Sequence, residues 1–90
     1  MNDAEAERSK LRKRLNRIRG QVEGLQRALE QEAALTKLIQ QATACRGALN
    51  GFIAELIEDH IREQVVHATN QEAASAAAEE LIGVVHSYLT

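Results

Sequence analysis

Residues 8–30 read RSKLRKRLNRIRGQVEGLQRALE. Leu11, Leu15, Ile18, Val22, Leu25 and Leu29 recur there at alternating spacings of four and three, the period of a helix with one apolar face. Seven Lys or Arg and no Asp or Glu fall within residues 8–19, although the chain as a whole carries a net charge of −2. Arg8, Lys10, Arg12, Lys13, Arg14, Arg17 and Arg19 occupy the rest of the circumference, where they stay solvated and can neutralise phosphates. Duplex DNA presents about one charge per 1.7 Å of axis, so such a helix fits a polyanion. A solvated face balanced by acidic neighbours is the competing reading of the same charges. In either case charge marks a footprint and not a base preference.

Composition narrows the fold. Ninety residues make one domain, 1–90, which alone would bury about 60–65 % of its unfolded surface and be marginally stable, so self-association is expected. With no Pro, no Trp, one Phe and one Tyr, and with abundant Ala, Leu, Glu, Gln and Arg, the chain favours helices over sheets. An all-α fold follows. A single Cys excludes an internal disulfide framework and suits a reducing cytosol. No apolar stretch approaches the roughly 20 residues needed to span a bilayer, and MNDAEAERSK lacks the apolar centre of a signal peptide, so a cytoplasmic protein without a membrane partner is expected.

Three helices are predicted. The first opens with Asp3, Glu5 and Glu7, which complement the helix dipole, and runs to about Glu30. The second runs from about Leu35 to Val66, carrying Leu38, Ala42, Cys45, Leu49, Phe52 and Leu56 on one stripe widened by Ile39, Ile53 and Ile57. The pattern lapses at 68–71, where Thr69 or Asn70 can cap the third helix. That helix uses Ala74, Ala77 or Ala78, Leu81, Val84 or Val85, and Tyr88. Two long seams, each over about 40 Å, predict an antiparallel helix hairpin that one protomer cannot cover, and hence a four-helix core shared by two protomers. Gly47, Asn50 and Gly51 interrupt the second helix, where close backbone approach or a kink would account for them.

Three motifs carry a resemblance. Asn16–Leu25 reads NRIRGQVEGL, Ile39–Gly51 reads IQQATACRGALNG, and Glu55–Ile61 reads ELIEDHI. Together, and in register with the closing Ser87-Tyr88-Leu89, they resemble the CsoR/RcnR/FrmR family of bacterial metal- and formaldehyde-responsive transcriptional repressors. The resemblance implies a three-helix protomer that dimerises through its first two helices, and two dimers joined in a flat tetramer. It implies a repressor that lacks a helix-turn-helix, lays its basic faces on operator DNA and is released by a small inducer. On this chain Arg14 and Arg17 match DNA-contact positions, Arg19 is a helper and Arg46 belongs to the face contributed by the second helix. Lys10 and Lys13 join them through the charge pattern, and phosphate contact is the role expected of most of these groups. Gln21 and either Gln40 or Gln41 can supply hydrogen bonds to DNA or serve as helix-surface or intersubunit residues.

The sensor positions depart from the family. Members that bind copper, nickel or cobalt place Cys, His and then Cys or His where this chain has Leu35, His60 and Gln64. The soft thiolate that selects Cu(I) is missing and Gln is a weak ligand. Formaldehyde sensing uses the same Cys together with an N-terminal Pro, whose place here is Asn2, and persulfide sensing needs two Cys. Cys45 lies ten residues from Leu35 on a core seam and reads as a small hydrophobe. His60, Glu63 and His67, with Asp3 of another protomer, are the donors left for a divalent transition metal. The competing reading makes them polar residues at a helix end whose His side chains complement its dipole. The resemblance also implies that the third helix hydrogen-bonds the sensory His, a role that falls here to Glu79 or Glu80, and His86 has no assigned site. An inducer avoiding Leu35, or constitutive binding, are the two mechanisms left open.

No Ser-His-Asp spacing, Gly-rich phosphate loop or HExxH pair occurs, and an enzyme is not expected. A helical protein-protein interaction module, using its seams for binding and its charge for solubility, is the alternative to a DNA-binding regulator.

Overall fold

The computed structural model describes residues 3–89. Three α-helices follow one another: α1 Asp3–Glu30, α2 Leu35–His60 and α3 Gln71–Leu89. A π-helical segment, Ile61–Val66, continues α2. Among the described residues there is no strand. None of the described helices is long and apolar enough to cross a membrane. Asn2, the counterpart of the N-terminal Pro, lies outside the described residues, as does the side chain of Asp3.

α1 stops where its last carbonyls find new donors. Glu32 N–H donates to Leu29 O at 3.1 Å and Ala33 N–H to Ala28 O at 3.0 Å, the paired bonds of a Schellman motif. The motif needs one left-handed residue, and Glu32 supplies it with φ 60°. Glycine usually fills that position because a Cβ is strained there. Ala34 then accepts from Lys37 and Leu38 to open α2.

The chain divides into two compact units, Met1–Ile53 and Ala54–Thr90. In the first, Leu25 and Leu29 share a groove with Leu35 and Leu38, while Arg14 lies against Gly51. High numbers of α1 thus pair with low numbers of α2, which makes the hairpin antiparallel as the two seams predict. Ile18, Ala28 and Cys45 are buried, so Cys45 sits in the core. Much of both seams stays in solvent. Val22 is 47 % exposed, Leu29 63 %, Ile39 64 % and Leu35 76 %.

The second unit corrects one expectation. An α-helix to Val66 was predicted, but the α geometry ends at His60 and the wider π turn takes over. His67 N–H accordingly donates to Arg62 O, five residues back, at 3.1 Å. Residues four apart no longer stack as they do in an α-helix, so His60 with Gln64, and Glu63 with His67, lose the one-turn alignment their spacing suggested. Asn70 is the cap of α3: its Oδ1 accepts from Ala73 N–H at 2.8 Å. α3 packs on the π segment. Ala74, Ala77, Ala78, Leu81 and Val85 are half-buried, whereas Val84 and Tyr88 of the predicted stripe remain exposed.

Candidate nucleic-acid interface

The basic residues of α1 separate into two strips. At about 100° per residue, Lys10, Lys13, Arg14 and Arg17 fall within roughly 100° of one another, and Arg8, Arg12 and Arg19 cluster beyond the opposite edge of the apolar stripe. Lys10 to Arg17 spans about 10 Å along the axis, within reach of several phosphates of one duplex. Six of the seven are exposed; Arg14, which borders the apolar stripe, is half-buried.

Arg14 owes that position to α2. Its guanidinium lies over Gly51 so closely that a Cβ there would overlap it. Arg19 stands 3.8 Å from Glu23, with both side chains largely exposed. An exposed i,i+4 pair of this kind contributes about 0.3–0.5 kcal/mol at most, so it yields readily to a phosphate. Arg46 is exposed on α2, about 140° around that helix from Gly51. The chain therefore gathers Lys10, Lys13, Arg14 and Arg17 on α1 and leaves Arg46 on a different edge of α2. Gln21 and Gln40 are exposed; Gln41 is half-buried, with Oε1 enclosed and unpartnered among the described residues.

The sensor positions offer little to a metal. Leu35 is an exposed aliphatic side chain, and Gln64, Glu63 and His67 all lie exposed in or next to the π segment. His60 is half-buried and its Nε2 lies 3.0 Å from the carbonyl oxygen of Ala77. A carbonyl only accepts, so Nε2 is the donor in this contact. Ala77, and not Glu79 or Glu80, therefore orients this imidazole; both glutamates are exposed. Next to it, Asp59 is buried: Oδ1 accepts from Arg62 Nη1 at 3.1 Å, and Oδ2 is enclosed with no hydrogen-bond partner among the described residues. Among the described residues no three His, Cys, Asp or Glu side chains stand together as a metal site.

No single sequence signal marks the Arg14–Gly51 contact or the Ala77 carbonyl. The first needs the register of the hairpin and the second is a backbone atom.

Residues 7–87 match the family described as metal-sensitive transcriptional repressor. The chain is 37 % identical over 90 residues to an uncharacterised protein encoded in the bioA 5′ region of Serratia marcescens, with 99 % of each chain covered. It is 32 % identical over 83 residues to the transcriptional repressor RcnR of Citrobacter koseri, with 92 % of each covered. A variant of the formaldehyde-responsive regulator FrmR from Salmonella enterica serovar Typhimurium has the same fold, with a TM-score of 0.84 at 33 % identity over 92 % of this chain and 94 % of that one. The basic helix, the antiparallel hairpin and these matches agree: the chain belongs to the metal-sensitive transcriptional repressor family, whose members are DNA-binding regulators.

Proposed function

We propose that this repressor binds double-stranded operator DNA as a homo-oligomer, a dimer whose hairpins complete a four-helix core and which pairs again into a tetramer. The observation that carries the reading is the basic strip of Lys10, Lys13, Arg14 and Arg17 beside an apolar seam that one protomer leaves open. Arg19 and Arg46 add contacts from the flanking edges. Phosphates supply most of the affinity, and dimerisation doubles the number of basic strips presented to one duplex.

The response to an inducer differs from that of a thiol-based sensor. With Leu35 and Gln64 at two of the three sensor positions, copper, formaldehyde and persulfide chemistry have no Cys to act on there. Release from DNA then depends on a ligand that avoids position 35 and binds the two shapes of the oligomer unequally, because equal affinity shifts nothing. His60, Glu63 and His67 serve a divalent transition metal only if a second protomer completes the set.

Fluorescence anisotropy of Arg17→Ala on the DNA upstream of the protein's own gene tests the interface. The variant keeps the wild-type sedimentation and lowers the slope of log affinity against log salt by about one unit. An unchanged slope removes Arg17 from the interface.

A further inference from the structure

We propose that Gly51 is a positioning residue for DNA binding: its missing side chain forms the seat that holds the Arg14 guanidinium against α2. The inference rests on the DNA-binding reading above and deepens it.

The five glycines are not alike. A Cβ at Gly20, Gly47 or Gly83 would meet nothing within 4 Å, and at Gly24 it would touch Arg27 Nη2 at an ordinary 3.6 Å. At Gly51 it would overlap Arg14 Nη2 and stand 3.4 Å from Cζ and 4.0 Å from Nε. Glycine is the least favourable residue in a helix interior apart from proline, so its presence within α2 calls for a local reason. The space taken by the guanidinium supplies one. Arg14 is also the one half-buried member of the seven basic residues in 8–19.

An arginine free in solvent loses rotamer freedom when it grips a phosphate, and that loss weakens binding. A seated guanidinium has already lost part of that freedom on folding, so less remains to be lost when DNA arrives. The obstructing atoms at Gly51 are the far end of a flexible side chain. Gly51→Ala therefore moves Arg14 and leaves the helix in place, while the alanine raises helix propensity. Binding and stability should change in opposite senses, which a general packing defect does not do.

The test compares wild type, Gly51→Ala, Arg14→Ala and the double variant by anisotropy on the same upstream DNA, with thermal melting and sedimentation of each. Gly51→Ala is expected to lower affinity about three- to tenfold with an equal or higher Tm and unchanged assembly. Arg14→Ala should lower affinity at least as much, and the double variant should match Arg14→Ala alone. Wild-type affinity in Gly51→Ala, a loss that adds in full to that of Arg14→Ala, or an altered assembly overturns the proposal. So does wild-type affinity in Arg14→Ala, which removes the residue the seat is meant to serve. The Arg14 Nε–H resonance, assigned by its disappearance in Arg14→Ala, reports the seat without DNA: dispersed in wild type, it should move to the solvent-exposed position in Gly51→Ala. If wild type binds no DNA selectively, the functional reading fails and the DNA role of the seat fails with it. A dispersed resonance would then show that the seat itself is intact.

Discussion

Ile39→Glu should split the proposed dimer while leaving the protomer folded. Ile39 lies on the edge of an apolar groove of about 530 Å³ that also includes Val22, Leu25, Leu29, Leu35 and Leu38. It is 64 % exposed in the protomer, and full burial of an isoleucine side chain contributes about 1.5–3 kcal/mol, so about 1–2 kcal/mol of burial remains for a partner to supply. A two-fold interface contains each residue twice, which makes the loss about 2–4 kcal/mol per dimer. That is a rise in Kd of about 30- to 1,000-fold, before the further penalty of enclosing an unpaired carboxylate. Glutamate is a better helix former than isoleucine, so the helical circular dichroism of the protomer should persist. Sedimentation velocity over a wide concentration range is the assay, with dissociation moved to much higher concentration in the variant. A variant that sediments as wild type throughout would refute the placement of this seam in the interface.

Glu32→Gly should stabilise the protein by about 0.5–1 kcal/mol in denaturant titration, because glycine relieves the left-handed strain of the α1 C-terminus at some expense in unfolded-state entropy. Asn70→Ala should lower stability by about 1 kcal/mol through loss of the bond to Ala73 N–H, with Asn70→Asp close to wild type. Cys45, buried at 7 % exposure, should resist a thiol reagent until the protein unfolds, and a Cu(I) titration should find no tight site centred on it. Rapid labelling under native conditions would contradict the core assignment, and tight Cu(I) binding at Cys45 would contradict the reading of Leu35 as a lost sensor position.

Helical periodicity made the elements legible, because the spacing of Leu11 to Leu29 and of Leu38 to Leu56 is a local property that survives folding. It placed the end of α1, the start of α2 and the core role of Cys45 where the structure has them. It did not separate α from π geometry after His60, since Ile57, Ile61 and Val65 keep a four-residue spacing that tolerates either winding. The turn at Glu32 carried no signal, because the residue in the left-handed position is not the expected glycine. Gly51 stood out as a site of close backbone approach or of a kink, whereas what meets it is the Arg14 side chain, opposite it only in the antiparallel register. His60 stood out as the surviving sensor residue, yet its orientation is set by the Ala77 carbonyl, which no side chain announces. Exposed seams were foreseeable from their length.

Operator binding is tested most directly by the affinity of the wild-type protein for the DNA immediately upstream of its own gene, measured by fluorescence anisotropy against scrambled DNA at several salt concentrations. Selective binding to the upstream sequence is expected, with a steep loss as salt rises, since a multi-phosphate contact releases many counterions. Equal, weak binding to both sequences would contradict it and leave a helical interaction module whose charge serves solubility.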